Sequence, residues 1–463
     1  MISRAFLLLS LLLGFSVALP DTAPRASLPS SRGWDPFLDS LQRGTLHWFL
    51  TAAPEKTGLT PDRWPTPSPS SIGAAGFGLT SVPIAIEHRL ITRRQAAARV
   101  LRALRFLLAI PQSDHPTASG GYHGFFYHFL DSQTGLRAWN CELSTVDTGL
   151  LMMGVLFCRS YFDRIDRNER KLRRLADSLY RRVDWTWSMD GREGITLGWS
   201  PEHGFHDMTW RGYNEAQFMY ILALGSPTHP VPSSAYSHWL SGYQWLSYQG
   251  KEFISFAPLF GHQYTACWLD MRGIQDRYVR EKGIDYFENS RRATYSHQSY
   301  GKNNPAQWRD YSERVWGWTA CDGPADTTLL IDGTPRTFQT YNARGPSADW
   351  TNDDGTLAPT AVAGSLPFAP EICLPALKAM RQIYGDQLYT DYGFRDAFNP
   401  SFITAQTPNG WFDKDFIGID QGPIALMIEN LRTGFVWRIA KRCPAIVRGF
   451  RRAGFTGGWL DVH

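Results

Sequence analysis

Several signatures that usually announce a function are missing from this sequence. Its 463 residues hold only six cysteines (Cys141, Cys158, Cys267, Cys321, Cys373 and Cys443), with no Cys-x-x-Cys pair, so the spacing argues against a structural zinc site. There is no His-x-x-x-His or His-Glu-x-x-His pattern, no glycine-rich phosphate loop and no Gly-x-Ser-x-Gly elbow. Histidines at 123, 128, 203, 206, 262 and 297 are present, but not at a diagnostic metal-ligand spacing. Charge of one sign is lacking too. The 47 basic and 43 acidic side chains leave +4, too even to point to nucleic acid or an anionic membrane. Beyond residues 5–18, no apolar run approaches the roughly 20 residues that a membrane span needs.

That one run, from Ala5 to Ala18, follows a single Arg4 and carries small residues at Ser16 and Ala18. It predicts a secretory signal over 1–18, cleaved after Ala18, and a periplasmic or secreted protein with no stable membrane insertion afterwards. Residues 19–34, rich in Pro, Ser, Ala and Arg, read as a flexible leader. Residues 35–445 read as one catalytic domain and 446–463 as a C-terminal tail. Export leaves room for one or two disulfides, but the pairing cannot be deduced from spacing.

What is abundant is aromatic: 18 Trp, 19 Tyr and 27 Phe, or 14% of the chain. Most of these rings are expected in a large core, and a surplus at a surface would suit sugar faces. Helical periodicity recurs over Trp34–Ala53, Ala74–Arg89, Thr92–Ala109 with Thr92 as N-cap, Ser144–Phe162, Asn168–Trp187 and Asn214–Leu224. It continues over Ser233–Trp245, His262–Arg272, Gly273–Tyr295, Pro367–Tyr384 and Gln421–Ala440, with few convincing strands. Helix pairs without the fixed period of a solenoid predict an all-α (α/α)6 toroid, a double ring of about twelve helices with long aromatic loops. The irregular stretch Asp322–Pro359, with Tyr341 and Trp350, is expected to form a cleft wall.

Three segments gather chemistry. Gly120–Asp147 holds Asp131, Glu142 and Asp147 among two histidines and six aromatic rings. In Gly198–Gln217, Trp210, Arg211 and Tyr213 precede Glu215, which is expected to open a helix. Tyr389–Trp411 carries Asp396, and the adjoining Gly418–Asn430 carries Asp420. Glycosidic oxygen is a poor leaving group, so cleavage needs a protonated carboxylic acid and a second carboxylate that activates water or attacks the sugar. Aromatic surroundings raise the acid's pKa by excluding water. Taken singly, Asp147 and Glu215 read better as first-turn helix charges; three aromatic-rich carboxylate segments together favour a site.

At the motifs FFYHFLD, ELSTVDTGLLMMG, GYNEAQFMYILALGSPTHP, YGFRDAF and GIDQGPIALMIEN the sequence resembles the bacterial glycoamylase-like domain. That group is similar to glycoside hydrolase family 144, the endo-β-1,2-glucanases, and to a domain of the cyclic β-1,2-glucan synthases. The resemblance runs from Trp34 to Arg442. It implies an (α/α)6 toroid acting on a β-glucan polysaccharide or oligosaccharide, β-1,2-linked by preference, with no cofactor and no metal. Glu215 matches the family carboxylate and is expected as general acid. Glu142, Asp147 and Asp131 are expected as further catalytic residues; Trp210, Arg211, Tyr213, His128, Asp396 and Asp420 are expected at the substrate. A glucan transglycosylase, a polysaccharide lyase on the same toroid and a non-catalytic glucan-binding protein are the rival readings.

Overall fold

The structure, a computed structural model, describes residues 34–331 and 333–462. The expected signal at 1–18 and the leader, apart from Trp34, lie outside the described residues.

Along the chain, outer and inner helices alternate. Outer α1 (Pro36–Ala52) leads to inner α2 (Ile72–Glu87), outer α3 (Arg93–Ala109) to inner α4 (Thr145–Tyr161), and outer α5 (Arg167–Arg182) to inner α6 (Gln217–Gly225). Outer α7 (Ser233–Leu240) leads to inner α8 (Phe260–Trp268). After a short α9 (Arg277–Glu281), outer α10 (Tyr286–Asn303) leads to inner α11 (Pro359–Ala363), and outer α12 (Pro370–Tyr384) to inner α13 (Gly418–Thr433). Successive inner helices are neighbours, and α13 returns to pack on α2, which closes the (α/α)6 toroid. α14 (Phe435–Ala440) and α15 (Pro444–Arg452) follow, the latter against α6.

Burial pattern separates the two rings. Nearly every residue of α4 is buried, because an inner helix has neighbours on all sides. The outer α5 buries only Glu169, Leu172, Ala176, Leu179 and Tyr180, one stripe of an otherwise charged helix. Starts are fixed by side-chain caps: Asp35, Ser71, Ser144 and Asp166, and the Thr92–Gln95 capping box of α3. Inner helices α2 and α4 cross at Gly76 and Gly154. A Cβ on Gly76 would stand 2.1 Å from the Leu150 carbonyl oxygen, so the approach excludes any side chain there.

The expected helices are present with corrected bounds. Gly273–Tyr295 is not one helix; Gly283, at φ +69°, ends the α9 turn, and Asp285 caps α10. The helix expected to reach Trp245 stops at Leu240, and Trp245 instead enters a hairpin with residues 251–254. Within the expected C-terminal tail, residues 446–462 fold onto the body through α15 and a final 3-10 turn, burying Ile446, Phe450, Phe455 and Leu460. Strands are more numerous than the sequence suggested, yet none among the described residues exceeds five residues. Five of them form one sheet over the mouth, in the order Gly121–Tyr122, Phe125–Tyr127, Leu143–Ser144, Gly198–Ser200 and Gly204–Phe205. None of the six cysteines is paired. Most rings serve the core, Trp48, Trp185, Trp239, Trp268, Trp316, Trp318 and Trp437 among them.

Candidate active site

The starts of three inner helices converge at one end of the toroid. Asp147 lies in the first turn of α4, Glu215 two residues before α6, and Asp420 in the first turn of α13. Helix N-termini carry partial positive charge and suit anionic groups. The strand at residues 70–71 pairs with 129–130, and Ile72 N–H donates to the His128 carbonyl at 3.0 Å, so the start of α2 is drawn to the same end.

Glu215 is half-buried in the turn that leads into α6. Asn214 Oδ1 accepts from Ala216 N–H at 2.9 Å and its Nδ2 donates to the Gly212 carbonyl, which pins that turn. The Thr265 hydroxyl donates to the Glu215 carbonyl from α8. Burial pushes the Glu215 carboxyl up to about 7; one backbone hydrogen bond opposes this and the Asp147 charge reinforces it. A carboxyl so placed holds a proton near neutral pH.

Asp147, buried, accepts from the Ser144 hydroxyl at 2.6 Å. Its Oδ2 is 3.6 Å from His128 Nε2, while His128 Nδ1 is 2.9 Å from Glu142 Oε1. Burial would lower the His128 pKa, but the charges of Asp147 and Glu142 and the Glu142 hydrogen bond overcome it and raise it to about 9. Burial would raise Glu142, and the His128 hydrogen bond and charge outweigh it, so this carboxylate is held below its ordinary range. A carboxylate–imidazolium–carboxylate arrangement results.

Opposite lies a second acidic group. Asp396 and Asp420, both buried, share a hydrogen bond. Burial, with the charges of Asp420 and Asp322, lifts Asp396 well above the carboxylate range. Burial lifts Asp420 to about 8 against that hydrogen bond. Among the described residues no arginine forms an ion pair with Asp396; Asp322 N–H donates to it at 2.9 Å. Arg63 Nη1 meets Asp322 Oδ2 at 2.6 Å and its Nε meets Asp62 Oδ2 at 3.1 Å. Tyr341, 47% exposed, overhangs these carboxyls closely enough to feel the charges of Asp420, Asp396 and Asp62.

Between the Tyr213 loop and the 343–350 stretch runs a groove of about 390 Å³, lined by Arg211, Tyr213, Phe256, Phe260, Asp349 and Trp350 among others. Trp350 is 48% exposed there, so the irregular stretch is a wall of this groove as expected. Tyr213 stacks on Tyr286 at 6.0 Å. Arg211 is held by Ser241, and Trp210 donates from Nε1 to Thr145 Oγ1 at 3.0 Å beside the start of α4.

The sequence-level site residues therefore fall into two sets. Glu215, Glu142, Asp147, His128, Asp396 and Asp420 come together, with Trp210, Arg211 and Tyr213 around them. Asp131 does not join them. Its carboxylate is exposed and accepts from Gln133 N–H, Thr134 N–H and the Thr134 hydroxyl, closing its own turn. Sequence reasoning missed Asp62, Arg63, Asp413 and Asp415, and gave Asp322 and Tyr341 only as parts of an irregular cleft wall. Asp413 and Asp415 sit between two of the motif segments; Asp62 and Arg63 stand in a short aromatic loop with no spacing signal.

For a cation, Asp322, Asp413 and Asp415 form the one group of three such ligands among the described residues, with oxygens within 4.8 Å of one another. The adjacent carboxylates of Asp353 and Asp354 are engaged by protein donors. Asp353 accepts from the Tyr300 and Tyr311 hydroxyls, and Asp354 pairs with buried Arg344 at 2.8 Å.

Residues 207–444 match the family model Glycoamylase, described as "Putative glucoamylase". Over 452 residues, 90% of this chain, the sequence is 27% identical to an exo β-1,2-glucooligosaccharide sophorohydrolase (non-reducing end) of Parabacteroides distasonis; the chain spans 57% of that relative's length. A crystal structure from Bacteroides uniformis, of a protein described in the same words as the family, superposes with a TM-score of 0.79 at 30% identity, covering 94% of this chain and all of that one. The endo-β-1,2-glucanase of Chitinophaga pinensis, in complex with sophorotriose and glucose, gives 0.78 at 26% identity over 91% and 98% of the two chains.

Proposed function

From the premise that this chain belongs to the Glycoamylase family, we propose that it is a glycoside hydrolase of β-glucans, with β-1,2-linked glucan as its preferred substrate. The observation that carries the reading is Glu215: a half-buried carboxyl raised to about 7, facing the charge of Asp147, one turn from a groove lined by aromatic rings. Support for the linkage comes from the names of the Parabacteroides and Chitinophaga relatives.

In this mechanism Glu215 donates its proton to the glycosidic oxygen as the bond to the anomeric carbon breaks. Asp147, oriented by Ser144 and His128, takes the proton of the water that attacks that carbon. Glu142 holds His128 in place. The Asp396–Asp420 pair and Arg63 bind sugar hydroxyls on the far wall, and Trp210, Tyr213 and Trp350 supply apolar faces. Export through the segment ending at Ala18 belongs to the same proposal. Among the described residues no helix is long and apolar enough to cross a membrane.

Reducing-end release from linear β-1,2-glucan tests it, with β-1,3-, β-1,4- and α-1,4-glucans alongside and Glu215→Gln as control. Release from the β-1,2 polymer, abolished in the variant, is the expected result. Consumption of polymer without new reducing ends would replace hydrolysis by transfer. Products absorbing in the ultraviolet would indicate a lyase.

A further inference from the structure

The geometry points to a second, outer sugar-binding platform at Trp139, separate from the 390 Å³ groove and connected to the carboxylates through ring contacts of Phe129 and His128. It rests on the glucan reading above and specifies how a longer chain is held.

Trp139 is 62% exposed, on the loop between Leu130 and Leu143. Single exposed apolar side chains are ordinary on protein surfaces. This one is not ordinary in its backbone: Trp139 and Asn140 both adopt the left-handed region, at φ 55° and 51°. For a bulky residue that conformation is costly and persists only where the surroundings impose it, a common mark of functional sites.

The imposing group is Arg137. Its guanidinium, only 2% exposed, donates from Nε to the Cys141 carbonyl at 2.6 Å and from Nη2 to the Asn140 carbonyl at 2.8 Å. It also forms a two-point pair with Glu202, at 2.7 and 3.1 Å, and lies 4.8 Å above the Tyr127 ring. Ala138 N–H donates to the Phe129 carbonyl and Phe129 N–H to Cys141 Sγ, so both ends of the turn are tied to one strand. Such a turn presents its side chain already ordered, and little conformational entropy remains to be lost on binding.

The presented ring is continuous with the site. Trp139 lies 5.0 Å from Phe129, and Phe129 stacks on His128 at 4.0 Å and 10°. His128 is the imidazole between Glu142 and Asp147. A glucan chain leaving the carboxylates along this side would meet the free indole face, which matches the apolar C–H face of a glucosyl ring.

The test compares wild type, Trp139→Ala and Trp139→Phe on β-1,2-glucooligosaccharides of increasing length and on the polymer. Retardation of the same variants, each carrying Glu215→Gln, is followed in gels containing each of the four glucans. The expected result is a loss in kcat/KM of about two- to tenfold for Trp139→Ala on long chains, the range that aromatic contacts usually carry. It should vanish on the shortest cleaved substrate, be largely restored by Trp139→Phe, and leave Tm unchanged. An equal loss at every length, or none on the polymer, overturns the platform. Retardation that depends on Trp139 without cleavage by wild type would keep the platform and remove the hydrolase reading. Cleavage and retardation indifferent to Trp139 would do the reverse.

Discussion

His128 Nδ1 lies 2.9 Å from Glu142 Oε1, and the same ring reaches toward Asp147 with its other nitrogen, at 3.6 Å. One imidazole thus links a half-buried carboxylate, 14 positions further along the chain, to a buried one. Its raised pKa of about 9 depends on both partners. Glu142→Gln should therefore bring the His128 pKa down toward 6.5, read directly by NMR of the ring. The folded-state value exceeds the unfolded one. The associated stabilisation is thus complete below 6.5 and lost as pH rises through 9, and thermal stability should fall less steeply over that window in the variant. A His128 pKa unmoved by Glu142→Gln would assign the shift to Asp147 alone.

Glu215→Gln should lower kcat by about 10²–10⁴, the usual contribution of a general acid, while leaving glucan retardation in gels intact. Because the proton-bearing form is the active one and its pKa is about 7, kcat should decline on the alkaline side of that value. Asp147→Asn removes a charge that raises this pKa, so any residual activity should decline at lower pH. An alkaline limb that stays in place in that variant would uncouple the two carboxyls.

Asp413 is 5% exposed, its Oδ2 has no hydrogen-bond partner, and burial with the charges of Asp396 and Asp322 raises its pKa to about 8. The folded value again exceeds the unfolded one, so stability is highest below about 4 and is lost as pH rises through 8. Asp413→Asn abolishes this loss. Its Tm relative to wild type should rise between pH 5 and about 8 and level off above that in thermal melts. A Tm difference independent of pH would mean that the carboxyl is neutralised by some other group.

Arg344 and Asp354 form a fully buried pair, at 0% and 2% side-chain exposure. Arg344 also donates to the carbonyls of Cys321, Gln339 and Thr340, gathering the stretch that carries Tyr341 and Trp350. Arg344→Met leaves the buried Asp354 without its ion-pair partner, held only by the backbone N–H groups of Gln339 and Thr356, and should cost about 3–5 kcal/mol in chemical denaturation. The double variant Arg344→Met/Asp354→Leu should recover much of that loss.

The sequence by itself determined the ring of helices. Period, caps such as Thr92–Gln95 and the glycines of α2 and α4 act within one turn or one crossing, so they are written locally. It also marked Glu215, Asp147 and Glu142, because each stands beside a helix start in an aromatic motif. Helix ends were less legible: Gly283 breaks one expected helix, and α15 was hidden by its many arginines until α6 supplied the surface its apolar stripe covers. What only the tertiary structure decided is which carboxyls share a site. Asp131 shares its segment with Glu142 and Asp147, yet three local donors turn it to solvent. Arg63 and Asp322 are 259 positions apart and meet at 2.6 Å, because closing the toroid brings the loops before α2 and after α10 to one mouth. Burial, and with it the proton affinity of Glu215, Asp396 and Asp420, comes from that closure and has no signal in the local sequence.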